Sequence, residues 1–532
     1  MHWSFKAASQ LIERHPDRDV FVCASGISPS GHVHIGNFRE IVTTFFVAKA
    51  LEYLGKQVRF IFSWDDYDRF RKVPSGLPEH YSEYIGLPYS EVPDPHGCHE
   101  SYAAHFESQF EETLEAFDIH PEYIYQSQMY QSGAYVEGVR EALIKRREIY
   151  DVLMRYKTQS WNEVARDRYY PVTVYCRECG RDHILNLSYD ELSDTIEYHC
   201  SCGHHEIAEL EGFNRIKLNW KIDWPMRWRY EEVIFEPGGR DHSSENGSYT
   251  VSSDIMRTVF DGNAPHYIPY EFIGLKGNHA KMSSSTGHLI TPDELLKIYP
   301  REMILYLFAK YQNTDAFDIG LDDDVIRLYT EFERNLRKFK EGLEIDEELN
   351  QVLQLSGAAT SNLDKDPKFA LIASTLPLVN FNISVLYRLF SRERPLEPDP
   401  FKLKCEKATH WINHWHRERL IQVNDTFNSQ YYATLEREER RWLKAFLTLS
   451  ETYVGDNDGF MTEVYEIVQG KTPAERKKSQ KRFFEIIYQM ILNQKNGPNI
   501  AVLVEVVGIK ILKNLLTPKR YVFENIKEQR VS

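Results

Sequence analysis

The sequence predicts an α/β protein with a parallel sheet in its N-terminal part and an all-α region in its C-terminal part. Three observations carry that expectation. The apolar run Val20-Phe21-Val22-Cys23-Ala24 is followed by a helix-patterned stretch and then by a second apolar run, "QVRFIFS" at 57–63, the order of one βαβ unit. Between 171 and 214 the texture turns to short β-prone runs around paired cysteines, as an insertion would. After Thr291 apolar residues recur at helical spacing almost to the end.

In order, residues 20–24 read as a buried strand and 35–54 as a helix, because Phe38, Ile41, Val42, Phe45, Val47 and Leu51 fall at mixed three- and four-residue spacing. Gly55 follows as the residue that ends it, and 57–63 is the second strand. Helical patterns return over His99–Phe117 and Tyr135–Tyr156. Strand-like apolar texture resumes from Asn214 to Trp228 and from Val233 to Phe235, and "YIPYEFIGLKGNHAKMSSSTGHLIT" closes the α/β part with a Gly/Ser/Lys-rich loop. Beyond it, Ile326, Tyr329, Phe332, Leu336 and Phe339 form one helical stripe. Further helices are expected near 367–390, 405–417, 433–450, 476–493 and 499–516, with loops at Asp346–Asp366 and Arg392–Pro400. The expected divisions are 1–150 and 215–290 for the two halves of the α/β domain, 151–214 for the insertion, 291–345 for a helical connector and 346–532 for the α-helical domain.

Composition bounds the function. At 532 residues several cores are needed, and 42% hydrophobic with 13% aromatic residues is globular rather than disordered. A net charge of −15 argues against a protein that coats nucleic acid non-specifically, though not against a local basic face. Seven cysteines, four of them within 176–202, do not form a secreted disulfide framework. No apolar segment follows the first six residues, and Ile500–Leu512 is short and interrupted by Glu505 and Lys510, so neither a signal peptide nor a membrane span is expected. The expectation is a soluble, cytoplasmic protein.

Two segments carry the chemistry. "PSGHVHIGN" at 29–37 places Pro29, two glycines, His34 and Asn37 on a strand-to-helix turn. A helix start offers backbone N–H groups and partial positive charge to a triphosphate, and Gly31 and Gly36 would let a nucleotide approach the backbone. His34 and Asn37 can donate to phosphate oxygens. The turn lacks G-x-G-x-x-G spacing, which disfavours a dinucleotide site. About 250 residues on, "KMSSS" at 281–285 sets Lys281 beside Met282, Ser283, Ser284 and Ser285 on a Gly-flanked loop, suited to gripping the β and γ phosphates of ATP.

This pair resembles the HIGH and KMSKS signatures of class I aminoacyl-tRNA synthetases, and more specifically the class I lysyl-tRNA synthetase family. "SGISPSGHVHIGNFRE" (25–40), "SWDDYDRFRKVP" (63–74), "EVPDPHGCHESYAAHF" (91–106), "WKIDWPMRW" (220–228), "GGRDH" (238–242) and "YEFIGLKG" (270–277) carry the likeness over most of residues 20–290. "RFFEIIYQMIL" (482–492) and "NGPNIAVLVEVVGIKILKNLL" (496–516) carry a fainter likeness to that family's helical anticodon-binding cage. The resemblance implies a Rossmann-like catalytic domain with a zinc-binding insertion and an α-helical anticodon-binding domain. It implies activation of L-lysine by ATP with Mg²⁺, then transfer to tRNA(Lys), with no part for DNA or a membrane.

It also implies roles residue by residue. His34 and Asn37 would contact ATP, Lys281 would steady the leaving pyrophosphate, and Ser284 stands where the general signature has a second lysine. Asp241 would accept from the ribose hydroxyls, although it fits a helix N-cap equally well. Gly26, Ile27 and Ser28, with Trp220, His242 and Tyr270, would hold lysine; Ser28 replaces the family's usual threonine. Asp65 and Asp66 are further candidates for its ammonium group.

Cys176-x-x-Cys179 and Cys200-x-Cys202 suit a tetrahedral structural Zn²⁺, with His204 able to replace Cys202 as fourth ligand; His199 and His205 stand nearby. Cys23, Cys98 and Cys405 read as buried or incidental. Basic runs such as "IKRREIY" and "RKKSQKR" are candidates for tRNA contact. Two rival readings stay open: the same machine for glutamate, and a non-catalytic tRNA-binding zinc protein.

Overall fold

The computed structural model describes residues 1–158, 161–277, 290–392, 395–470 and 472–518. The chain divides into two compact units, one of Met1–Gly320 with Lys338–Ser361, the other of Leu321–Arg337 with Asn362–Ser532.

The first unit is built on strands β1 (Val20–Ile27), β2 (Gln57–Trp64) and β3 (Glu122–Tyr125). Between β3 and the rest of the sheet come β4 (Val172–Val174), β5 (Ile184–Asp190), β6 (Thr195–Cys200), β7 (His205–Glu209) and β8 (Ile216–Leu218). Then follow β9 (Phe235–Gly239), β10 (His266–Tyr270), β11 (Ile273–Leu275) and β12 (Phe317–Ile319). The main sheet runs β10-β9-β1-β2-β3, and every neighbouring pair is parallel. In β1, Phe21, Val22, Cys23 and Ala24 are all buried, as a central parallel strand covered on both faces requires. The crossover helix Ile35–Tyr53 buries Phe38, Ile41, Val42, Phe45, Phe46, Val47 and Leu51, each burial stabilising by roughly 1.5–3 kcal/mol. Gly55, at φ 78°, takes the left-handed conformation that lets the chain turn back into β2.

From β1 the chain builds outward through β2 to β3, then returns on the opposite side of β1 with β9 and β10. The order therefore reverses between β1 and β9, and the carboxyl ends of these strands diverge into a crevice. The insertion is clamped by the antiparallel pair β4–β8 and carries the antiparallel sheet β5-β6-β7.

The structure corrects several expectations. Residues 220–228, expected to be strand-like, form the helix Trp220–Tyr230, in which Asp223 and Arg227 pair at i,i+4; the Trp- and Ile-rich composition had suggested strand. The stretch Tyr135–Tyr156 is two helices, Val136–Ile144 and Arg146–Arg155, broken at Lys145. The expected loop Asp346–Asp366 contains the helix Glu347–Leu355, capped by Asp346, whose carboxylate accepts from the Leu349 amide. That helix belongs to the first unit, where Gln351 accepts from the His2 amide at 2.6 Å.

The second unit is helical throughout its described residues. One of its cores gathers Leu443, Phe446, Phe460, Val464, Phe483, Ile486, Ile487, Met490, Leu503 and Leu512. The expected helix 367–390 is divided into Phe369–Thr375 and Ile383–Phe390, because Pro377 has no N–H to continue it and Asn380 and Phe381 adopt positive φ. The expected helix 499–516 is two, Ile500–Val507 and Ile509–Leu516, parted at Gly508 with φ 76°. Among the described residues no helix is long and apolar enough to cross a membrane.

Candidate active site

The crevice at the carboxyl ends of β1, β9 and β10 is a cleft of 780 Å³ within the first unit. It is lined by Gly26, Ile27, Ser28, Gly31, His34, Gly36, Asn37, Asp65, Trp220, Asp241, His242, Tyr270 and Asp318, so six separated stretches of sequence meet there. Two expected residues stand apart. Pro29 is buried beneath the loop. Asp66 turns away from the cleft: its carboxylate accepts from the Ser127 amide (2.8 Å) and hydroxyl, tying the end of β2 to the helix Gln126–Gln131, and burial raises it to about 6 against those hydrogen bonds. The segment "KMSSS", with Lys281, Met282, Ser283, Ser284 and Ser285, lies outside the described residues. On its two sides, Ile273 and Gly274 line the cleft and the Ile290 carbonyl accepts from the Ile35 amide at 3.0 Å.

The helix start differs from the sequence expectation in one respect. His34 is the N-cap of Ile35–Tyr53, and its Nδ1 accepts from the amides of Gly36 (3.0 Å) and Asn37 (3.4 Å). With the Ile35 amide bonded to Ile290, the first three amides of the helix already have partners. Because Nδ1 accepts, the proton of the neutral imidazole sits on Nε2, and the imidazole rather than the bare helix tip is the donor suited to an anion. Gly36 acquires a different reason as well. A Cβ there would stand 2.8 Å from His34 Cε1 and 2.9 Å from Nδ1, so its absence makes room for the cap. Gly31, at φ 149°, adopts a conformation that L side chains rarely take.

On the other wall, the Trp220 ring stacks on Trp224 at 5.0 Å and 19°, with the Arg227 guanidinium 5.4 Å from its centroid. His242 sits 6.4 Å from Trp220, and burial lowers its pKa, favouring the neutral ring. The Tyr270 hydroxyl donates to Glu40 Oε2 at 2.8 Å, and the Gly26 amide donates to Oε1 at 3.1 Å. Burial pushes Glu40 up to about 8 in spite of both bonds.

Sequence reasoning passed over Glu40 and, apart from Asp65, the charged cluster behind the pocket. Asp65 is paired with Arg227 at 2.7 Å. Asp68 accepts from Lys217 at 2.5 Å and from the Ser28 hydroxyl at 3.3 Å, and Asp223 lies 3.4 Å from Arg227 and 3.7 Å from Lys217. Burial opposes the charge on Lys217, yet Asp68, Asp223 and Asp65 hold its pKa above the ordinary lysine value. A signal was present: Lys217 sits between Ile216 and Leu218, and Asp223 and Arg227 sit among tryptophans, where a buried charge needs a partner.

In the insertion, the four cysteine sulfurs converge. Cys176 and Cys202 are 3.8 Å apart, Cys179 and Cys200 3.6 Å, and all four fall within 4.8 Å of one another. Four thiolates about 2.3 Å from a tetrahedral zinc are about 3.8 Å apart, so the quartet fits that ion. His204 is not part of it; its Nε2 lies 3.5 Å from Glu206. Cys202 completes the group of four converging sulfurs.

The family model described as tRNA synthetases class I (K) matches residues 1–359. A lysine–tRNA ligase of Treponema pallidum is 33% identical over 537 aligned residues, covering 97% of this chain and 98% of that one. A lysine–tRNA ligase of Pyrococcus horikoshii is 32% identical, covering 94% and 96%. Among solved structures, a glutamate tRNA ligase from Elizabethkingia meningosepticum is 11% identical with a TM-score of 0.46, over 94% of this chain and 98% of that one.

Proposed function

The chain belongs to the class I tRNA synthetases (K), and from that premise we propose that it activates L-lysine with ATP and transfers the lysyl group to the 3′ end of tRNA(Lys). The observation that carries lysine is the charge of the pocket wall. Among the described residues, Glu40, Asp65, Asp68, Asp223 and Glu236 outnumber Lys217 and Arg227, the cations that pair with them, an excess of acidic groups that favours a cationic side chain over glutamate. Glu40 is the partner for the ammonium group, because the Asp65 carboxylate is already engaged by Arg227.

The reaction needs no nucleophile from the protein. The lysine carboxylate oxygen attacks the α phosphorus, the bond to the β phosphate breaks, and pyrophosphate leaves; the tRNA hydroxyl then attacks the acyl carbon and AMP departs. Positioning and charge neutralisation supply the rate. His34 donates through Nε2 to a phosphate oxygen, Asn37 donates beside it, and Asp241 accepts from the ribose. Gly26 and Ser28 flank the reacting carboxylate, with the Ser28 hydroxyl oriented by Asp68. Trp220, His242 and Tyr270 enclose the aliphatic stem. Lys281, with Met282 to Ser285, grips the leaving pyrophosphate; the cleft position of Gly274 and the Ile290–Ile35 bond on either side of that segment support this role. ATP enters as its Mg²⁺ complex. Cys176, Cys179, Cys200 and Cys202 would hold a structural Zn²⁺ that cross-links the insertion. A cytoplasmic setting goes with charging of tRNA.

The test is ATP–pyrophosphate exchange with and without tRNA. Exchange driven by lysine and not by glutamate is expected, and Lys281→Ala should lower it by about 100-fold or more while tRNA affinity holds. Exchange driven by glutamate, or by neither amino acid in the presence of tRNA, overturns the assignment.

A further inference from the structure

The residues that hold the amino acid and the helix start beside His34 make up only part of the cleft wall. Phe272, Ile273, Gly274 and Asp318 also line it, brought there by the parallel pair β11–β12 and the residue before it. Phe272 is 39% exposed, an apolar ring that a stacked base would cover. Gly274 stands opposite Asp318 in the register of the pair. A Cβ on Gly274 would lie 2.1 Å from Asp318 Oδ1, so glycine at this position is what lets the carboxylate reach across the strand. Asp318 is exposed, and a carboxylate accepts hydrogen bonds and offers none.

Both segments are tied to the helix that His34 caps. Arg39, one turn into that helix, is 4% exposed. Its guanidinium donates to the carbonyls of Glu271 (2.7 Å), Asp315 (2.9 Å), Gln312 (3.0 Å) and Asn313 (3.1 Å), and lies 5.3 Å from the centroid of the Phe317 ring. A buried cation with four acceptors in a fixed fork holds the chain beside Phe272 and Asp318 in one place relative to the turn at 29–37. The surface is therefore set before any ligand arrives.

We propose that Phe272, Gly274 and Asp318 form the base pocket of the cleft, and that Asp318 selects adenine by accepting a hydrogen bond from its 6-amino group. This rests on ATP being the nucleotide, as proposed above, and not on which amino acid is activated. Hypoxanthine and guanine carry a carbonyl oxygen at the same ring position, and two acceptors set against each other leave both without a proton. The anionic triphosphate lies away from Asp318, toward His34. Arg39 is a positioning residue and touches no nucleotide.

Equilibrium dialysis of labelled nucleotides against the full chain, with Mg²⁺ and without amino acid or tRNA, tests the pocket apart from the choice of amino acid. The parent should hold ATP about 10- to 100-fold more tightly than ITP or purine riboside triphosphate, which lacks the amino group. Asp318→Ala should weaken ATP by about 10-fold or more and leave purine riboside triphosphate within about 2-fold of the parent. Asp318→Asn, whose amide can donate to the inosine carbonyl, should narrow the preference for ATP over ITP by about 10-fold or more. Gly274→Ala, whose methyl displaces the carboxylate, should lose the same preference, and it carries the test if circular dichroism shows an Asp318 variant unfolded. ATP and purine riboside triphosphate weakened alike in a folded Asp318→Ala, or a preference for ATP over ITP that survives Asp318→Asn or Gly274→Ala, overturns the pocket. Binding that follows these expectations while exchange responds to glutamate would overturn the lysine assignment and leave the pocket standing.

Discussion

Glu40 makes the charge argument quantitative. Its pKa of about 8 means that at pH 7 the side chain is mostly protonated, and a lysine ammonium beside it gains full attraction only once the proton leaves. Ionising it costs about 1.4 kcal/mol for each pH unit below 8. The apparent KM for lysine in pyrophosphate exchange should therefore fall roughly 50-fold from pH 6 to pH 8 and level off above it. Burial holds His242 below its ordinary value, so its charge is lost at a lower pH than that of a free imidazole. Glu40→Gln keeps an acceptor for the Gly26 amide but cannot ionise. Its KM should be nearly independent of pH and raised at pH 8 by about 10- to 100-fold, the worth of a hydrogen bond to a charged group. Stability follows the same linkage: the folded value exceeds the ordinary 4.5, so this group's contribution is complete below that value and is lost as pH rises to about 8. A flat KM profile in the parent, or a slope that persists in Glu40→Gln, would refute the reasoning.

Gly36→Ala places a methyl 2.8 Å from the His34 ring, which must swing out and surrender the cap. The expected cost is about 1 kcal/mol in urea unfolding, together with a clear loss of adenylate formation, whereas an unchanged exchange rate would separate His34 from ATP. Lys217→Met removes the ammonium that pairs with Asp68 and Asp223 and should destabilise the first unit by about 3–5 kcal/mol, read as an earlier thermal transition. Adding Asp68→Asn should recover part of it.

The turn at 29–37, the helix it opens and the strand on either side of them were legible before any coordinates. Residues 20–63 carry a local pattern of period and punctuation that needs nothing distant, so β1, the helix Ile35–Tyr53 and β2 stand where the pattern puts them. The cysteine spacing likewise singled out four thiols, and the fold brings their sulfurs together. Helix breaks at Pro377 and Gly508 were written in residue type but overlooked, because apolar spacing continues across them.

What the sequence by itself determined is where apolar faces fall and where the reactive residue types are grouped. Which of Asp65, Asp66 and Asp68 serves the pocket was decided by tertiary structure: Ser127, Arg227 and Lys217, between 61 and 162 residues away along the chain, each take one of them. Glu40 likewise became a candidate only when Tyr270, 230 residues later, closed over it. The reason is physical. Burial and pairing set a carboxylate's charge and direction, and both depend on chain segments that no local period can report.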